Sequence, residues 1–255
     1  MRVLYAALMK RSYPEEQLRK MKKKRRFHSL KLAVLGTFTL FTGSLLLYHF
    51  YDSLFIGLNI LFILIIAFFI ISILAFVLML HYLKQSKKEA QLKSGVEGER
   101  LFKEYLEKIE GYKFYSLPLP HGGDIDALLV NKSGVFAFEV KNYSGIIKCV
   151  GDNWQRTKVG KGGGHYQGHV GNPSEEARRH ARDLQNYLRA RGIQVDVTPV
   201  VVITHTQARI DGTQCSVRVI KPQDAKTLVS SNEILTEWEL KQIAKEIKRL
   251  ANQLA

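Results

Sequence analysis

The chain has 255 residues, with 38 Lys and Arg against 23 Asp and Glu, for a formal net charge of +15. Residues 1–31 carry 11 basic and 2 acidic residues, residues 32–81 carry no Lys or Arg and only Asp52 as an acid, and residues 82–255 carry 27 basic against 20 acidic. So uneven a distribution argues against intrinsic disorder, a disulfide-stapled scaffold and a wholly soluble protein.

Residues 32–50 can cross a hydrocarbon core of roughly 30 Å as a helix, and residues 54–80 are longer and more apolar. Only Tyr51, Asp52 and Ser53 separate them, which predicts a transmembrane helical hairpin returning to its starting side. The basic run Lys22, Lys23, Lys24, Arg25, Arg26 precedes the first span, and Lys84, Lys87, Lys88 and Lys93 follow the second. The positive-inside rule therefore places both termini in the cytoplasm and the chain in the cell membrane as a two-span protein, with residues 1–31 as the basic topology signal. A buried helical core is the competing reading, but some fifty residues without Lys or Arg are hard to enclose in so small a domain. The spans lack the ionisable pairs of a transport path, since His49 and Asp52 sit at the turn. Cys149 and Cys215 fall in the cytoplasmic part and are expected as reduced thiols.

Residues 81–93 read as a polar linker or helical extension, and residues 94–255 as the soluble domain with a C-terminal helix. Phe102, Tyr105, Leu106 and Ile109 recur at helical spacing, and Gly111 stops that helix. Strands are predicted at 113–117, 124–130, 135–141 and 145–150, with 154–158 as a hairpin partner of the last. Residues 160–171 form a glycine-rich loop. Asn172 then caps a helix with Pro173 at its first position, Ala177, Ala181, Leu184 and Leu188 make its apolar stripe, and 197–204 is a strand buried on both faces. A short strand at 216–220 and an amphipathic helix through Trp238, Ile243, Ile247 and Leu250 close an α/β order.

The chemistry concentrates in residues 124–145. If Asn131 to Gly134 is the turn, Val130 faces Val135 and Asp126 faces Glu139, with Lys141 on the same face two residues on. Opposed carboxylates repel and call for a cation, and an all-oxygen site favours Mg²⁺ or Mn²⁺ over zinc. Such a metal can stabilise charge on a phosphodiester and activate a water that the lysine orients or deprotonates. The bland alternative is a cross-strand salt bridge and a turn-capping aspartate.

Gly95-Val96-Glu97-Gly98-Glu99, Asp124-Ile125-Asp126, the run from Phe136 to Gly145 and the helix-opening Asn172-Pro173 together resemble the nuclease-related domain (NERD). That family is similar to the PD-(D/E)XK nuclease superfamily, and the resemblance covers roughly residues 94–205. It implies a restriction-endonuclease-type mixed sheet flanked by helices, behind the two-helix hairpin. It also implies Asp126 and Glu139 as metal ligands, Lys141 as the catalytic lysine and Glu99 as a helix carboxylate reaching the site. Where the family often has Gln after Asn-Pro, this chain has Glu175-Glu176, which leaves the role of Glu176 open. Lys161 in the glycine-rich loop and Arg178, Arg179 and Arg182 on the following helix are candidate nucleic-acid contacts, against a mobile loop and a solvated helix face. His165 and His169 have ligand spacing but sit among glycines, which disfavours zinc. The expectation is a membrane-anchored, Mg²⁺-dependent nuclease acting on DNA in preference to RNA, with membrane lipid around its hairpin. The alternative is a non-catalytic nucleic-acid-binding or scaffolding domain on the same tether.

Overall fold

The computed structural model describes residues 13–52, 58–160, 162–211, 214–230 and 233–254. It divides into two units, Glu15–Lys93 and Ser94–Ala255. The first unit holds helix α1 (Tyr13–Asp52) and the first part of helix α2 (Leu58–Leu106). The two run antiparallel: the His28 and His81 rings meet at 5.2 Å, and Gly43 faces the Phe68 ring. The most apolar stretches of these helices have mean hydropathies of 1.7 and 3.4, and none of either is buried. A core helix of a soluble domain would be covered, whereas here Phe38, Phe41, Leu47, Phe62, Phe69 and Phe76 lie bare. The hydroxyls of Thr37, Thr39 and Thr42 donate to carbonyls three or four residues back, so these polar side chains in the apolar stretch of α1 are satisfied within the helix. Both helices are long and apolar enough to cross a membrane.

Tyr51 and Asp52 are helical rather than part of a turn, while Ser53 and the first residues of the expected second span lie outside the described residues. Residues 81–93 are helix, because α2 continues without a break to Leu106.

The second unit is mixed α/β. Its main sheet has five strands in the order β1 (Tyr112–Pro118), β2 (Asp124–Asn131), β3 (Gly134–Lys141), β7 (Val197–Ile203) and β9 (Arg218–Ile220). The first three form an antiparallel meander, and β7 joins β3 and β9 in parallel. A strand with parallel neighbours on both sides is covered on both faces, which explains the unbroken apolar run of Val200, Val201, Val202 and Ile203. The turn between β2 and β3 places Gly134 at φ 135°, and the Asn131 side chain accepts from the Ser133 N–H.

Helix α3 (Pro173–Arg189) crosses between β3 and β7. Its cap is the one the sequence predicts: the Asn172 side chain accepts from the Glu175 N–H at 3.1 Å, with Pro173 in the first turn. Leu184 and Leu188 of α3 pack with Ile243, Ile247 and Leu250 of α5 (Glu237–Leu254) over one sheet face. Phe102 and Leu106 of α2 and Ala225 and Val229 of the short α4 (Ala225–Val229) cover the other.

A second sheet, packed on the first through Ile147, Cys149 and Ala208 against Val201 and Ile203, runs in the order β6 (His165–Gln167), β5 (Asn153–Val159), β4 (Gly145–Val150), β8 (Ala208–Ile210). The sequence reading expects only the β4–β5 hairpin of this wing; β6 emerges from the expected glycine-rich loop, held by pairing with β5. Cys149 and Cys215 form a disulfide, contrary to the expected free thiols. They are 66 residues apart in sequence but are carried together by β4 and the segment leading into β9, a proximity that spacing alone does not reveal.

Candidate active site

The β2–β3 ladder holds the expected register from Asn131↔Gly134 to Ala127↔Phe138, and there it stops. One step further, the Asp126 side chain replaces the backbone: its Oδ2 accepts from the Val140 N–H at 2.6 Å. The strands part at this point, and Glu139 lies in register with Val201 of β7. Leu128 and Val130 of β2 and Val135 and Ala137 of β3 face α3, and beyond them, at the end of the sheet, Asp124 and Asp126 come close enough to Glu139 and Lys141 to act on their charges.

Lys141 is the hub. Its Nζ lies 2.7 Å from Glu139 Oε1 and 2.7 Å from Glu176 Oε2 on α3. Glu139, only 5% exposed, also meets His180 Nδ1 at 3.1 Å through Oε2. Arg179 approaches His180 Nε2 at 3.2 Å. A guanidinium can only donate, so Nε2 is the acceptor, and the imidazole proton sits on Nδ1 and points at Glu139.

Burial would raise the Glu139 pKa, but the His180 hydrogen bond and the Lys141 charge outweigh it and hold the group below its ordinary value. Burial likewise works against charge on Lys141, yet Glu139 and Glu176 prevail and keep the ammonium protonated. Asp126 goes the other way. Its pKa is pushed well above the ordinary carboxylate range by burial, then by Glu139 and Glu99, against the Val140 N–H and Lys141. Asp124 is raised too, by burial and by Glu139. The carboxylates therefore outnumber the cations that face them, and all the donors most exposed to this crowding are oxygens. Such a set fits a hard divalent cation.

Gly98 explains how Glu99 comes near. A Cβ on Gly98 would stand 2.6 Å from Thr204 Oγ1 and 2.9 Å from the Asn142 Cβ, so only glycine lets α2 approach the end of the sheet this closely. Asn142 completes the junction by donating to the Ser94 carbonyl at 2.8 Å. The residues after Lys141 thus have separate tasks: Asn142 ties the sheet to α2, Tyr143 and Ser144 receive Arg156, and Gly145 turns at φ 93° where a Cβ would strike the Thr157 carbonyl.

Of the residues singled out from the sequence, Asp126, Glu139 and Lys141 come together and Glu99 acts on Asp126. Arg178 instead binds Asp152 at 2.6 Å, and Arg179 turns to His180, while Arg182 is exposed on α3. Lys161 lies outside the described residues. Asp124, Glu176 and His180 join the site although the sequence reading gives none of them a role. The signals are there in the chain: Asp124 shares the face of Asp126 two residues on, and Glu176 and His180 are i, i+4 neighbours on α3. A separate cluster, Cys149, Asp152 and Cys215, brings three potential ligand atoms within 4.8 Å of one another. Its sulfurs are bonded to each other, and the Asp152 carboxylate already accepts from Ser216 and Arg178, so it serves as a tie between β4, the approach to β9 and α3.

No curated protein and no solved structure matches the chain. A protein-family model does match, over residues 94–204, and those bounds run from the Ser94 that anchors Asn142 to the Thr204 that packs against Gly98. The α/β unit therefore carries a nuclease-related domain.

Proposed function

We propose that this domain hydrolyses phosphodiester bonds of nucleic acid, DNA in preference to RNA, using Mg²⁺ or Mn²⁺ held by Asp126 and Glu139. The observation that carries the reading is the excess of carboxylates, Asp124, Asp126, Glu139, Glu99 and Glu176, around the single ammonium of Lys141. A divalent cation there supplies positive charge for a phosphodiester as negative charge builds on it and makes a neighbouring water more acidic. Lys141 acts as a fixed cation: clamped by Glu139 and Glu176, it orients an anionic phosphate or an attacking water instead of taking its proton. His180 donates from Nδ1 and keeps Glu139 ionised and aimed, and Glu176 holds the Lys141 ammonium in place.

The antiparallel helix pair anchors the domain in the cell membrane, with both termini on the cytoplasmic side where the flanking lysines and arginines lie. Reporter fusions at the two ends test this; a signal from the far side at the C-terminus would remove access to cytoplasmic nucleic acid.

One observation favours a second reading, a non-catalytic nucleic-acid-binding domain. Both Glu139 oxygens and the Lys141 ammonium already have partners, so the network is satisfied by the chain itself. Incubating the full chain in detergent with duplex, single-stranded and RNA substrates, with and without Mg²⁺, separates the two. Metal-dependent cleavage lost in Lys141→Ala supports catalysis, and binding without cleavage under every condition supports the second reading.

A further inference from the structure

The second sheet presents a basic and aromatic surface beside the acidic cluster. Arg156 and Lys158 alternate on one face of β5, and Tyr166 of β6 stands directly opposite Lys158. The Arg156 guanidinium lies 4.9 Å from the centre of the Tyr143 ring, its Nε donates to the Ser144 carbonyl at 2.9 Å, and another guanidinium nitrogen donates to Ser144 Oγ at 3.1 Å. These bonds fix the side chain and leave N–H groups over for a ligand.

Gly168 lies across the stems of both cations. A Cβ there would sit 3.2 Å from the Arg156 Cδ and 3.2 Å from the Lys158 Cε, so the glycine lets the backbone press the two side chains into place. Among the described residues no carboxylate forms an ion pair with Arg156 or Lys158. His205 and Lys221 add to the same positive field: burial first, then Arg156 and Lys221, depress the charge on His205, with only Glu97 opposing. Lys158 is likewise held down by burial and by Arg156. Glu97 acts on His205 and Asp224 on Lys221, but Arg156 and Lys158 stand together without an acid to answer them, an arrangement suited to an anion from outside.

We propose that Arg156, Lys158, Tyr143 and Tyr166 form a binding track for a single strand of nucleic acid that leads into the cluster around Lys141. This proposal rests on the nuclease reading of that cluster and specifies the form of its substrate. Tyr143 joins the two regions, since it follows Lys141 by two residues at the end of β3 and its ring carries the Arg156 guanidinium. Tyr166 is 53% exposed, on a three-residue edge strand, so its ring is open to stack with a base. Cations beside an open ring suit unpaired bases, whose faces are free, whereas a duplex hides them and offers phosphates alone.

The test uses the full chain in detergent micelles with EDTA present, so that binding is read without cleavage. Fluorescence anisotropy of labelled single-stranded and duplex oligonucleotides is followed against salt for the wild type, Lys158→Gln, Tyr166→Ala and, as a control for general charge, Lys245→Gln on the exposed side of α5. The expected result is tighter binding of the single strand. Tyr166→Ala should weaken it about tenfold, as removal of one base stack would. Lys158→Gln should flatten the logarithmic salt dependence by about 0.7, the share of one neutralised phosphate on a single strand, with Lys245→Gln unchanged. Equal effects from Lys158→Gln and Lys245→Gln, or a preference for duplex untouched by Tyr166→Ala, would overturn the track while leaving the nuclease reading intact. Binding to vesicles of anionic lipid in place of oligonucleotide would also overturn it. Metal-dependent cleavage, measured separately, decides the nuclease reading.

Discussion

Among the described residues, two glutamates are almost removed from solvent, Glu89 of the helix pair at 3% exposure and Glu139 of the α/β unit at 5%. Each meets cations. Glu89 is bound by Arg25 at 2.8 Å and by Lys93 at 3.4 Å, and these hold its pKa down against the effect of burial. There, positive charge exceeds negative, and the arrangement is complete as a tie between α1 and α2. Around Glu139 the balance is reversed: Lys141 is shared with Glu176, and Asp126 and Asp124 are forced toward protonation. A buried ion pair by itself marks structure more often than function. What distinguishes the second site is the unbalanced acid, which stability does not require and which a bound cation would relieve.

The largest effect expected from breaking this contrast is at Lys141. Lys141→Ala leaves Glu139 buried with His180 alone, which should cost about 3 kcal/mol or more of stability in the metal-free protein. Mg²⁺ should restore more of that loss than it adds to the wild type, while cleavage stays absent. Denaturation midpoints with and without Mg²⁺, alongside a cleavage assay, check this.

Asp126→Asn should act in the opposite direction. It removes a carboxylate crowded by burial, Glu139 and Glu99, while its amide oxygen can still accept from the Val140 N–H. A gain of about 1 kcal/mol is expected for the metal-free protein, with loss of cleavage, the usual exchange of function for stability at a strained site.

The pH dependence follows from the same two groups. Folding raises the Asp126 pKa, so its contribution to stability is fully present below the unfolded value and is lost as pH rises through the folded value. Folding lowers the Glu139 pKa, so its contribution is present above the unfolded value and is lost as pH falls through the folded one. The metal-free protein should therefore lose stability as pH rises through the raised Asp126 value, and Mg²⁺ should flatten that loss. Urea midpoints across the acid and neutral range measure it.

The smallest effect on the site is expected from the other glutamate. Glu89→Gln should loosen the helix pair without changing cleavage or the response to Mg²⁺, as read from thermal scans and the same assay. A change in cleavage would show that the two glutamates are not as different as their charge balance implies.

Much of the site could be read from residue spacing because it is local. One turn, Asn131 to Gly134, sets the register that brings Asp126 to the end of β3, and alternation along β3 puts Glu139 and Lys141 on one face. The helix cap at Asn172 and the buried strand β7 are local signals of the same kind. Glu176 and His180 come in on a crossover helix, and their approach to Glu139 depends on how α3 packs, which no strand period encodes. The wing is hidden for the same reason: β6 and β8 are three residues each, too short for a periodic pattern, and exist through pairing with β5 and β4. Arg178, which the sequence offers as a nucleic-acid contact, is drawn off by Asp152, a residue held at φ 65° in the turn between β4 and β5.

The most direct measurement is thermal unfolding of the full chain and of Asp126→Asn, each in EDTA and in Mg²⁺. The charge imbalance predicts that the variant melts higher than the wild type in EDTA, and that Mg²⁺ raises the wild type but leaves the variant nearly unmoved. A variant that melts lower in EDTA, together with a wild type indifferent to Mg²⁺, would contradict the cation-demanding site on which the proposed activity depends.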